Sequence, residues 1–126
     1  MHELLKKPNV YHAKVSAREV PSILSQSNVT IIPYRSNLTF NRHAFPMKTM
    51  EYLYAKKRVV SSNVIELKQY HPLILLADTP REWKKMIRYA LASPLTQAQR
   101  RKARLTAEMH TWKKKTDTLL RILAAS

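Results

Sequence analysis

With 126 residues, 44% of them hydrophobic, the chain has the length of one folded domain and the apolar content of a globular body. It contains no cysteine, which excludes disulfides and cysteine-based zinc sites and fits a reducing cytoplasm. Its formal charge of +15 points to an anionic partner, whether a phosphorylated ligand, a nucleic acid or an acidic membrane surface.

In chain order, Asn9–Ala13 (NVYHA) reads as a short strand, and Ser16-x-x-Glu19 as the capping box of a helix over 17–26. Asn28–Tyr34 (NVTIIPY) is a buried strand that leads into the longest irregular stretch, Tyr34–Phe45, and then into a helix over 46–56. Arg58–Ser62 (RVVSS) and Leu73–Ala77 (LILLA) are short and rich in branched residues, as buried strands are. Between them, Asn63-x-x-Glu66 has the form of a capping box for a helix over 64–70. Thr79-Pro80-Arg81-Glu82 and Thr96-x-x-Gln99 start helices over 80–93 and 96–109, and a last helix covers 111–124. Strand–helix alternation with apolar strands predicts an α/β fold: a parallel sheet of about four strands covered by helices on both faces. Four strands make one half of a doubly wound sheet.

The basic helices over 80–124 carry many more Lys and Arg than Asp and Glu. Their spacing predicts that Trp83, Ile87, Leu91, Leu105 and Trp112 turn inward. The basic faces then meet solvent, anionic lipid or nucleic acid. No apolar run approaches the roughly 18 residues of a membrane span, and no signal-peptide core is present, so a soluble or peripheral protein is expected.

Glycine is absent where average usage would give roughly nine. Neither a Walker A loop nor a G-x-G-x-x-G turn exists here, so a bound phosphate is left to helix ends and side chains. In open parallel sheets, ligands bind beyond the carboxyl ends of the strands. The loop after the second strand carries Arg35, Asn37, Thr39, Arg42 and His43 there. It feeds a helix that opens Phe45-Pro46-Met47-Lys48, with no Ser, Thr, Asp or Asn at the cap. A lysine beside the orphan N–H groups of a helix start is unfavourable unless an anion takes the place of the cap. Lys48 and Glu51 lie three apart on one face, so a cation and an acceptor can reach a single ligand, such as a pyrophosphate followed by a ribose.

The stretch NVTIIPYRSNLTFNRHAFPMKTMEYLYAKKRVVSS resembles the nucleotide-sugar half of GT-B glycosyltransferases, most closely the bacterial group that builds capsules, exopolysaccharide and cell-wall glycans such as teichuronic acid. The similarity runs through Pro33, then Asn37, Leu38 and Thr39, then Pro46, Lys48, Glu51, Tyr52 and Leu53, with Val59 and Val60 in the next strand. The flanks and the closing HTWKKKTDTLLRIL helix are similar as well, so the resemblance covers nearly the whole chain. It implies that residues 1–126 form a single, partial Rossmann-like donor-binding domain, an incomplete half of a GT-B enzyme. A missing N-terminal acceptor domain would supply the catalytic base. By the same resemblance Lys48 contacts the diphosphate of a nucleotide-diphosphate sugar and Glu51 its ribose, with Met47, Pro46, Asn37 and Thr39 completing the donor site.

The turn Ala55-Lys56-Lys57-Arg58 departs from the family pattern by lacking its glycine and proline, so it is expected to be strained or differently shaped. Asp78 and Asp117 are the only aspartates and the five histidines lack zinc-ligand spacing, so no metal and no cofactor are expected. The expected function is transfer of a sugar to a glycan or lipid-linked acceptor, in the cytoplasm or on the inner membrane face, by an enzyme of which this chain is an inactive part when alone. The alternatives are a non-enzymatic nucleic-acid-binding module, for which no helix-turn-helix, RNA-recognition or zinc-finger pattern is present, and a degenerate scaffold without turnover.

Overall fold

The computed structural model describes residues 3, 6–35, 39 and 47–125. Their regular elements are α1 (Val20–Gln26), β1 (Val29–Ile32), α2 (Met47–Tyr54), β2 (Arg58–Ser62), a 3-10 helix (Ile65–Tyr70), β3 (Ile74–Ala77), α3 (Pro80–Ala92), α4 (Gln97–Met109) and α5 (Trp112–Ala125). The strands lie in the order β1-β2-β3, and both pairings are parallel. Val60 stands opposite Ile31 on one side and Leu75 on the other.

β2 is buried along its whole length, as a central strand covered on both faces must be. Its alternating side chains divide the core. Val59 joins Ile32, Met50, Leu53, Leu67, Ile74, Ala103 and Ala107 on the face covered by α2, the 3-10 helix and α4. Val60 joins Leu75, Ala77 and Ala90 on the opposite face, where Trp83, Met86 and Ile87 of α3 pack. Ala103 and Ala107 are buried on α4, and side chains this small let it approach α2 closely.

The two well-capped helices start where the sequence predicts. The Thr79 and Thr96 hydroxyls accept from the N–H groups of Glu82 and Gln99, both at 3.2 Å, and both capping boxes close. Two other boxes do not work as expected. Ser16 donates to the Glu19 carboxylate from its N–H at 2.7 Å and from its hydroxyl at 3.0 Å. These bonds hold a turn, and α1 begins only at Val20. They also keep the Glu19 carboxyl below its ordinary value, the backbone bond contributing most. Asn63 caps nothing: its Nδ2 donates to Asp78 at 3.1 Å across the ends of β2 and β3, and its buried Oδ1, the atom a cap would use, has no hydrogen-bond partner. The segment after it forms a 3-10 helix, not an α-helix.

The expected strand at 9–13 is not formed: the sheet among the described residues has three strands, not about four. An extended segment becomes a strand only by pairing. This one pairs with neither sheet edge, and Tyr11 is 89% exposed. The inward assignment of the basic helices also needs correction. Trp83 and Ile87 are half-buried against the sheet, but Leu91, Leu105 and Trp112 face solvent.

The glycine-free turn after α2 keeps the geometry that glycine usually supplies. Lys56 sits at φ 60°. Its N–H donates to the Leu53 carbonyl at 2.9 Å, and the Lys57 N–H donates to Tyr52 at 3.0 Å. This bond pair is a Schellman motif with a Cβ-bearing residue in the left-handed position, at a cost of about 1 kcal/mol. Arg58 follows, almost completely buried. Its Nη1 donates to the Pro72 carbonyl at 2.8 Å, and its guanidinium lies 5.5 Å from the Tyr89 ring centre.

Candidate functional site

The site begins at the carboxyl ends of β1 and β2. The Ser62 hydroxyl donates to the Tyr34 carbonyl at 2.7 Å and accepts from the Tyr34 N–H at 2.8 Å. This two-bond clasp fixes the chain just where it leaves β1, ahead of the loop that leads to α2. Of the loop residues predicted to bind donor, Thr39 is exposed, while Asn37 and Pro46 lie outside the described residues.

α2 sorts its residues by face. Thr49, Met50 and Leu53 are buried against the sheet and α4, which turns Met47, Lys48 and Glu51 outward. All three are exposed, Met47 at 57%. The first turn holds no acidic residue, so the positive end of the helix dipole and the Lys48 ammonium act in the same direction. One turn on, Glu51 offers a carboxylate. Tyr52 beside it has a phenol held above its ordinary value, first by burial, then by the Glu51 charge and by Tyr34.

Met47 and Glu51 also line a groove of about 620 Å³ between α1, α2 and α4. Leu24, Met50 and Ala107 form its apolar floor, and Tyr54 with Arg104 forms one wall. That wall is built. The Arg104 guanidinium carbon lies 3.5 Å from the Tyr54 ring centre, its Nη2 donates to the Tyr54 hydroxyl at 2.6 Å, and its Nε donates to Glu108 at 3.1 Å. His110, also on the lining, has Nε2 3.2 Å from the Tyr70 hydroxyl. The Tyr70 phenol is raised above its ordinary value, first by burial and then by Glu66.

Thus Met47 and Glu51 share a groove, whereas Lys48 belongs to the adjoining exposed face at the helix start. Sequence reading missed Tyr54, Arg104 and His110. Arg104 meets Tyr54 across fifty residues, and periodicity carries no signal for such a pair. Among the described residues, no three His, Asp or Glu side chains gather closely enough to hold a metal ion.

Comparison with known proteins bears on the family. A relative from Bacillus subtilis (strain 168), named as a teichuronic acid biosynthesis glycosyltransferase, TuaH, is 36% identical over 63 residues. That match covers 49% of this chain but only 16% of the relative. No solved structure matches significantly. The profile of the glycosyl transferase-like family matches residues 3–121. With nearly its whole length inside that profile and a parallel α/β sheet beneath it, this chain belongs to the glycosyl transferase-like family.

Proposed function

We propose that the chain is the donor-binding portion of a GT-B glycosyltransferase and holds a nucleotide-diphosphate sugar at the start of α2. The observation that carries this reading is the outward face of the first turn of α2. It presents Lys48 beside the helix N-terminus with no acid in the turn, and Glu51 follows one turn later. Lys48 and the helix N–H groups bind the diphosphate, while Glu51 accepts from the ribose hydroxyls. The groove beside Glu51 has the volume of an ordinary small-molecule pocket.

Chemically, the chain stabilises the leaving group. When the glycosidic bond to the donor phosphate breaks, negative charge grows on the departing nucleoside diphosphate. The Lys48 ammonium and the helix dipole lower the energy of that charge. The base that activates the acceptor, a glycan or lipid-linked sugar, is assigned to a domain outside this chain. The surrounding charge of +15 raises the local concentration of an anionic donor but does not orient it.

Calorimetry with a nucleoside diphosphate and its 2′,3′-dideoxy analogue tests the assignment of Glu51. The wild type is expected to prefer the ribose form by about tenfold, and Glu51→Ala to bind both forms alike. Equal binding of the two forms by the wild type removes Glu51 from the ribose.

A further inference from the structure

The ladder between β1 and β2 ends at the pair Ile32–Ser61. β2 itself stops at Ser62, and the chain then turns into the 3-10 helix past Val64. Tyr34 thus lies beyond the last ladder pair, with its N–H and carbonyl still to be satisfied. The Ser62 hydroxyl satisfies both, accepting from the N–H at 2.8 Å and donating to the carbonyl at 2.7 Å. A hydroxyl can donate and accept at once. Ser62 is only 3% exposed, so water competes little for either bond.

The preceding serine is a contrast. Ser61 is completely buried, and its hydroxyl donates to the Ile32 carbonyl at 3.4 Å. It adds one long bond where the strands are already paired, whereas Ser62 holds a residue that the ladder does not reach.

α2 connects two parallel strands, so it starts at the carboxyl end of the sheet, where Tyr34 leaves β1. Two residues before Tyr34, Ile32 packs with Met50, the neighbour of Glu51 on α2. Tyr34 and Glu51 both act on the Tyr52 phenol, which burial raises most. The Tyr34 side chain is itself 38% exposed, and a ligand at Glu51 can meet it.

We propose that Ser62 is a positioning residue for the donor site: its hydroxyl holds Tyr34 beside Glu51, and the Tyr34 ring there bounds the space in which a ribose meets the carboxylate. This role presupposes that Glu51 receives the ribose, and it adds a part that no residue of α2 supplies.

Calorimetry of variants of the 126-residue chain with a nucleoside diphosphate and its 2′,3′-dideoxy analogue tests the role. Ser62→Ala is expected to shrink the roughly tenfold ribose preference of the wild type to about twofold. Ser62→Thr, which keeps a hydroxyl, is expected to retain it. Tyr34→Ala should lose as much preference as Ser62→Ala, and the double variant no more than either, because both changes act at one place. Ser61→Ala should lower the melting midpoint and leave the preference intact. Full ribose preference in Ser62→Ala overturns the positioning role while leaving the ribose with Glu51. Preference lost equally in Ser61→Ala overturns it too, by assigning the effect to a general loosening of β2. If Ser62→Ala fails to fold, Tyr34→Ala decides, and an unchanged preference there overturns the role. Equal binding of the two forms by the wild type removes Glu51 from the ribose and the role of Ser62 with it.

Discussion

Lys48→Ala is expected to lower the affinity for a nucleoside diphosphate by roughly ten- to a hundredfold, the range of a hydrogen bond to a charged group. The same change should raise thermal stability slightly. A lysine in the first turn opposes the helix dipole by about 0.3–1 kcal/mol, and α2 has no acid there to offset it. Loss of binding together with a small gain in stability distinguishes a ligand-binding lysine from a structural one. Lys56→Ala serves as the control, because it removes the same charge beyond the far end of the helix. If Lys56→Ala weakens binding as much as Lys48→Ala does, the attraction is the general field of a +15 chain and not a site. Higher salt should weaken both wild-type and variant binding, with a smaller slope for Lys48→Ala.

The largest effect on stability is expected at Leu53. Its side chain is completely buried among residues of β1, β2, β3 and α4. Removing it strips apolar contacts and leaves a cavity that close-packed neighbours fill only in part. Leu53→Ala should cost about 3 kcal/mol, a large share of the roughly 5–15 kcal/mol that a domain has in total. Leu105→Ala, on the exposed face of α4, should stay within about 0.5 kcal/mol. Urea unfolding followed by circular dichroism separates the two. Similar midpoints for both variants would contradict the core described above. Because Leu53 shares α2 with the site residues, its loss should also weaken nucleotide binding, but only as far as the helix itself loosens.

Those two leucines also show what a sequence can tell about a fold. β2 and β3 were legible because short branched runs have few other uses in a soluble chain. The starts of α3 and α4 were legible because Thr79 and Thr96 make their bonds within one turn. Non-local facts were not legible. The stretch at 9–13 has the composition of a strand, but pairing decides whether one forms, and among the described residues it joins neither edge of the sheet. Leu91, Leu105 and Trp112 have helical spacing; a periodic pattern shows that an apolar face exists without showing what covers it. Asn63 has the form of a cap, but the segment after it winds into a 3-10 helix that starts past Val64, and the Asn63 amide instead meets Asp78, fifteen residues on.

The candidate site divides in the same way. The outward placement of Met47, Lys48 and Glu51 follows from the helical period, because Thr49, Met50 and Leu53 are buried on the other side. The Tyr54–Arg104 wall of the groove arises only when α4 packs on α2. The missing glycine at Lys56 is a third case. The departure was visible in the residues, but only the backbone shows that the left-handed turn is kept, with lysine in it.

The measurement that bears most directly on the donor-site assignment is a nucleoside diphosphate titration followed by backbone amide chemical shifts. Binding at the start of α2 predicts that the largest shifts fall on Met47, Lys48 and Thr49, with a second group around Glu51 and the Tyr34–Ser62 clasp. Saturable shifts confined to Arg100–Lys102 and Lys113–Lys115, with none at Met47–Glu51, would contradict it and reduce the interaction to charge on the basic helices.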